Sequence, residues 1–269
     1  MNATDRGSNS LPSKRRFQGM WQVVMFNPTF YLTVVPALLL SAFFIPIFPM
    51  PELRLLAWLG WGLASWWVLA SVLASHWVYD LSAWPEGTWL HKALGDHAPL
   101  HGINAHAGFD ETTLKLKAWL PASEIISLDL FDPQLLTEKS IHRARRYFPP
   151  LDDAIKGSFH SWPSSLPKTQ VIFFLLTAHE FRRHHERVEL FRQARLHLSN
   201  APHSCIILAE HVRDTANFMA FGPGFLHFHS TASWQSAWTE AALEVTLAFN
   251  VTPWVRIWRL QPISTEPRS

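Results

Sequence analysis

Two short stretches carry side chains suited to proton transfer, Thr177-Ala178-His179-Glu180 and Glu210-His211-Val212-Arg213-Asp214. In each an imidazole stands beside a carboxylate, the pairing in which a histidine exchanges a proton while an acid holds its ring. Both follow apolar runs, which places them at the ends of buried strands. His179-Glu180 is equally the composition of a helix start with a first-turn acid. The chain's 15 histidines also raise a metal reading. His179 and His184 lie five positions apart and diverge on a helix, and His184 and His185 adjoin each other. His91, His97, His101, His227 and His229 show no closed ligand set, so no metal centre is expected. The single Cys205 excludes a disulfide and a cysteine-rich zinc module, and in its apolar run it reads as a buried thiol.

The chain has 269 residues, 48% hydrophobic and 16% charged, a composition that excludes disorder and collagen-like repeats. A net charge of +2 without a concentrated basic stripe argues against a nucleic-acid partner. The apolar residues are uneven: between Pro28 and Tyr79 the only charges are Glu52 and Arg54. Thr29 to Phe48 is 20 residues without a charge, roughly 30 Å as a helix, which is the hydrocarbon thickness of a bilayer. Leu55 to Tyr79 follows, with Trp58, Trp61, Trp66, Trp67 and Trp77; several sit where interfacial rings belong, although Trp66 and Trp67 fall mid-span. A two-span transmembrane hairpin over residues 28–80 is expected, with the lipid bilayer as partner. Arg6, Lys14, Arg15 and Arg16 precede it, so the positive-inside rule puts the basic segment 1–27 and everything after Asp80 in the cytoplasm.

After a connector over 81–98, short apolar runs alternate with amphipathic stretches, the pattern of a parallel sheet with covering helices. Strands are expected near His101–Ala105, Glu124–Leu130, Ala154–Phe159, Gln170–Thr177 and His203–His211. A helix over Glu180–Leu198 is marked by Phe181, Val188, Phe191, Ala194 and Leu198. The stretch Arg213–His229 reads as a long loop rich in Phe, an apolar flap. A helix near Ala232–Ala242 leads to strands Leu243–Val251 and Trp254–Leu260, joined so tightly at Thr252-Pro253 that they must be antiparallel.

Five strand-helix units and a terminal hairpin, together with Asn-Ala-His-Ala-Gly-Phe-Asp-Glu-Thr, Leu-Leu-Thr-Ala-His-Glu-Phe-Arg and Ala-Glu-His-Val-Arg-Asp followed by Phe-Gly-Pro-Gly-Phe, resemble the class I S-adenosylmethionine-dependent methyltransferases, in a membrane-linked variant. The resemblance spans residues 99–262, with 263–269 as a tail, and implies an α/β fold: a Rossmann-like seven-stranded sheet preceded by the two-helix hairpin. It also implies S-adenosylmethionine as cofactor. The family's Gly-x-Gly-x-Gly loop falls on His106-Ala107-Gly108-Phe109-Asp110, keeping only the central glycine, and its ribose-binding acid on Asp129. Asn104, His106 and Asp110 would line the same rim. Ser158 and Phe159 stand where the family's adenine-binding acid would be. The loops holding His179-Glu180 and Glu210-His211 would face the acceptor, with His179 or His211 as base and Glu180 or Glu210 orienting it. The expected activity is methyl transfer, at oxygen, to an apolar or membrane-associated small molecule; the alternative is a catalytically inactive domain acting as a membrane-tethered binding or assembly module.

Overall fold

The computed structural model describes residues 17–263; the basic residues Arg6, Lys14, Arg15 and Arg16 lie outside that range. Seven strands, β1 (His101–His106), β2 (Glu124–Asp129), β3 (Ile155–Lys156), β4 (Val171–Leu175), β5 (Cys205–His211), β6 (Leu243–Thr252) and β7 (Val255–Pro262), form one sheet in the order β3-β2-β1-β4-β5-β7-β6. All pairings are parallel except those of β7, which runs antiparallel to β5 and β6. β4 is an unbroken apolar run and β5 is apolar up to Ala209, because both of their faces are covered, as parallel strands require. β3 is shorter than the expected Ala154–Phe159, since the chain leaves the sheet at Gly157 and turns back through Ser158–Ser161.

One face of the sheet packs on α7 (His184–His197) and α9 (Thr231–Glu240) through Val188, Phe191, Trp234 and Trp238. The other takes α4 (Trp89–Leu94) and α5 (Thr113–Trp119). The stretch expected as a connector is therefore part of the core: Trp84 and Trp89 stack 5.2 Å apart and are buried against the sheet. α7 begins four residues later than the expected Glu180, because Ala178–Glu180 form a 3-10 turn and Glu186 accepts from the amide of Arg183 to open the helix there. The expected loop Arg213–His229 contains α8 (Thr215–Phe221), started by Asp214 accepting from Asn217, and a 3-10 segment, Gly222–His227. α6 (Lys139–Tyr147) follows β2.

Ahead of the sheet stand α1 (Gln18–Phe26), a helix absent from the sequence reading, then α2 (Pro28–Phe44) and α3 (Pro51–His76). With their 3-10 and π-turn extensions, α2 and α3 give two stretches long and apolar enough to cross a membrane, Pro28–Ile47 and Pro51–Leu81, of mean hydropathy 2.1 and 1.5. They pair through the Trp61 indole, which donates to the Leu38 carbonyl at 2.8 Å. Their apolar side chains face outward, with Leu32, Leu39, Phe43, Leu55 and Leu59 exposed, unlike those of a core helix. Trp66 and Trp67, mid-span by sequence, sit where α8 docks on α3: Trp66 donates to the Met219 carbonyl at 3.0 Å and Trp67 packs on Phe218. Gly222 is needed at that contact, since a Cβ there would come within 2.6 Å of the Trp67 ring.

Candidate active site

Strand order changes direction between β1 and β4, and in open α/β sheets the ligand crevice lies beyond the carboxyl ends at that point. A cavity of about 270 Å³ occurs there. The loops after β1, β4 and β5 supply one side, with Glu111, Thr177, His179, Glu180 and His211; α1, the foot of α3 and α6 supply the other, with Gln22, Phe26, Tyr79 and Ile141. α1 is fastened over the cavity at both ends. Asp80 accepts from the amides of Gly19 (2.8 Å) and Met20 (3.3 Å), and Arg143 donates to the Phe26 carbonyl at 2.6 Å. A side chain at Gly19 would collide with Tyr79, so only glycine permits this approach.

Leu176 has a φ of 55°, a conformation rare for a bulky residue, and it turns the chain as β4 ends. The turn aims the amides of Thr177 and His179 at one carboxylate oxygen of Glu210, at 3.0 and 3.2 Å. The other oxygen of Glu210 lies 2.6 Å from His179 Nδ1. Glu210 is wholly buried, so each of these bonds offsets a desolvation cost that water cannot. Of the two acids that sequence reasoning put forward to orient an imidazole, Glu210 holds Nδ1, while Glu180 lies 3.5 Å from Nε2. Burial alone would lower the His179 pKa; the charge and hydrogen bond of Glu210, with Glu180 behind them, override it and hold the value up at about 9. Burial raises the pKa of Glu180.

His211 lines the same cavity but is not paired with Glu210, its sequence neighbour, because alternate strand residues point to opposite faces. Its Nδ1 donates to the Trp254 carbonyl at 2.9 Å, and its ring stacks on Phe228. Burial, then the charge of His179, pushes its pKa down to about 4. A neutral buried histidine contributes stability that is full above its unfolded pKa near 6.5 and is lost as pH falls through the folded value. His211→Gln is therefore expected to shed less thermal stability than the parent between pH 6.5 and pH 4; identical melting-temperature slopes would exclude His211 as a source of acid lability.

His227, which sequence reasoning left without a role, reaches this cluster from the far end of the α8 segment. Its ring centroid lies 5.3 Å from that of His179, and its Nδ1 is 3.4 Å from Glu138. Tyr79 and Gln22 arrive from the N-terminal helices, and no spacing in the sequence connects them to His179.

The residues matched to the donor loop form a separate, buried polar network. Asn104 donates to Thr113 (2.8 Å) and Thr112 (3.0 Å), His106 bonds Ser127 (3.1 Å), and Asp110 caps α5 through the Thr113 amide (2.9 Å) while accepting from Ser127 (2.8 Å). Gly108 has a φ of 107°, and a Cβ there would fall 2.6 Å from the Phe131 ring. Asp129 accepts two bonds from Arg145 of α6, at 2.6 and 3.2 Å, and one from the Phe131 amide. Ser158 closes the turn after β3, and Phe159 packs toward Phe181. Asn104 Oδ1 and His106 Nδ1 are buried without a hydrogen-bond partner among the described residues.

No protein-family model matches this sequence, and no curated protein matches it. Solved structures do. A human N-acetylserotonin methyltransferase in complex with S-adenosylmethionine is 12% identical and superposes with a TM-score of 0.53 over 97% of this chain and 75% of its own, a match that runs into the N-terminal helices. A SAM-dependent methyltransferase from Aquifex aeolicus, 13% identical, gives a TM-score of 0.51 over 72% of this chain and 96% of its own. The chain has the Rossmann-like fold of the class I S-adenosylmethionine-dependent methyltransferases.

Proposed function

We propose that the chain is a membrane-anchored S-adenosylmethionine-dependent methyltransferase that methylates an oxygen of an apolar or membrane-associated small molecule. The observation that carries this reading is the His179–Glu210 pair, held at the cavity by the turn after β4. Glu210 fixes the ring so that Nδ1 carries a proton and Nε2 faces the acceptor side; with the pKa held up at about 9, the neutral fraction that can take a hydroxyl proton grows as pH rises toward that value. His211, with its own Nδ1–H spent on Trp254, offers Nε2 as a hydrogen-bond acceptor to a second donor group of the acceptor molecule, the one hydroxyl proton being taken by His179.

The donor supplies a methyl group on a sulfonium. The residues around β1 and β2 suit such a ligand: Asn104 Oδ1 and His106 Nδ1 have unspent bonding capacity, Gly108 admits backbone approach, and Asp129 offers a carboxylate to ribose hydroxyls. Arg145 would have to leave Asp129; it is partly exposed and long enough to turn toward water. That ion pair is also what favours the second reading, an inactive tethered module.

The outward-facing apolar surfaces of α2 and α3 support the anchor. Beyond the α8 contact at Trp66, the part of α3 from Pro51 to Ser65 extends about 22 Å. Exposed Met219 sits at its base, where its carbonyl accepts from Trp66, and side chains of this kind enter the interface by roughly 5–10 Å, which brings the hairpin to the thickness of a bilayer core. α8, which carries Met219, also lines the cavity through Phe221, and this supports an acceptor that enters from the lipid side.

The test is calorimetric titration of S-adenosylmethionine and S-adenosylhomocysteine into detergent-purified full-length protein, followed by transfer of labelled methyl groups into a membrane lipid extract. Saturable binding and label in an extractable small molecule are expected. A folded protein that binds neither ligand would move the assignment to the tethered module, and equal activity on a small soluble acceptor after removal of the hairpin would refute the membrane-derived substrate.

A further inference from the structure

We propose that His179, Glu180 and His227 form a binding site for a divalent first-row transition-metal ion, and that the ion competes with the acceptor's proton for His179 Nε2. The inference concerns the same cavity as the methyltransferase reading and adds a regulator to it.

Each of the three residues brings a donor atom within 4.8 Å of the others. Two imidazoles and a carboxylate are borderline donors, which suit zinc, iron, cobalt or nickel rather than magnesium or calcium. Metal-bound histidines almost always have the other ring nitrogen held by a carboxylate or carbonyl, which sets the tautomer and aims the free lone pair. His179 has that second partner, Glu210 hydrogen-bonded at Nδ1 at 2.6 Å, and Glu138 stands near His227 Nδ1 at 3.4 Å, an ion-pair neighbour that a small rotation would bring into a hydrogen bond.

Charge points the same way. Glu138, Glu180 and Glu210 surround the two rings, and Arg182, which donates to the His227 carbonyl, is the nearest guanidinium. Arg187, the next cation, is turned to His229 and Ser233. A divalent ion balances the remaining negative charge. Bond lengths of about 2.1 Å require the donors to draw closer than they now stand. Glu180 and His227 end short 3-10 segments rather than strands, so this movement costs no sheet pairing.

Glu210 occupies Nδ1, so His179 has one lone pair, at Nε2, and it cannot serve a metal and a proton together. Zinc titrated by calorimetry into chelator-stripped full-length protein is expected to bind one ion per chain. Affinity should fall at least tenfold in Glu138→Gln and be lost in His227→Ala, with His184→Ala, whose ring bonds Glu240 at the surface, as the unchanged control. Saturating zinc should suppress methyl transfer at least tenfold, reversibly with chelator. Absent binding, or binding unaltered in His227→Ala and Glu138→Gln, overturns the site, and zinc that binds there yet raises turnover overturns the competition. Zinc-binding protein that transfers no methyl group when stripped would instead sink the methyltransferase reading and leave the metal site standing.

Discussion

Glu210→Gln should abolish methyl transfer about as thoroughly as His179→Ala, with a loss on the order of 10²–10⁴-fold in turnover and a smaller change in donor affinity. The reason is the proton's position rather than the loss of a side chain. A glutamine can still accept from the Thr177 and His179 amides through its carbonyl oxygen, which leaves its NH₂ against His179 Nδ1, where Glu210 Oε2 now lies at 2.6 Å. Two donors cannot face each other, so Nδ1 becomes the acceptor and the ring proton moves to Nε2, the side facing the acceptor. Glu210→Ala is a different experiment. It leaves two amides and an imidazole without their partner at a wholly buried position, and about 3–5 kcal/mol of stability should go with them. Chemical denaturation separates the two variants, and ring-nitrogen NMR shifts report the tautomer directly. Normal turnover in a folded Glu210→Gln protein would remove the His179–Glu210 pair from the mechanism.

Asp129→Ala should weaken S-adenosylmethionine binding by about 10- to 100-fold, the weight of hydrogen bonds to a charged group at roughly 1.5–3 kcal/mol. The same substitution frees Arg145, whose side chain is 21% exposed and can turn to water, so its stability cost should be well below that of Glu210→Ala. Arg145→Gln tests the other half of the pair. If Asp129 is the carboxylate that takes the ribose hydroxyls, the guanidinium that bonds it at 2.6 and 3.2 Å occupies that place, and its removal should raise donor affinity above the parent's. Calorimetry on the three proteins decides the matter: unchanged affinity in Asp129→Ala places the donor elsewhere in the crevice, and weakened affinity in Arg145→Gln makes the arginine part of the donor site instead of its occupant.

Local pattern determined a good deal of this protein. Uninterrupted apolar runs at Val171–Leu175 and at residues 205–209 fit strands covered on both faces, and the Thr252-Pro253 turn leaves only an antiparallel return, so sheet and terminal hairpin were legible. The charge-free stretches from Pro28 were legible as long apolar helices for the same reason: nothing along them carries a polar face to present to water. Positions where a local cue was weak shifted by a few residues. α8 lies in a stretch whose Gly222-Pro223-Gly224 points to a loop, although Phe218, Phe221, Phe225 and Phe228 recur three, four and three apart and Asp214-Thr-Ala-Asn217 holds the cap that starts the helix. α7 started late because Glu186, not Glu180, closes the capping bond.

Convergence was decided only by tertiary structure. That Arg145 answers Asp129 across the turn from β2 to α6, that His227 meets His179 across 48 positions, and that α1 folds back over the cavity with Asp80 on its amides are consequences of helix placement on the sheet. A one-dimensional period reports which face of an element is apolar and says nothing of which polar tips meet at its end. The two tryptophans at 66 and 67 show this most directly: by sequence they are anomalous rings in mid-membrane, and in the fold they are the surface on which the sheet domain's own helix docks.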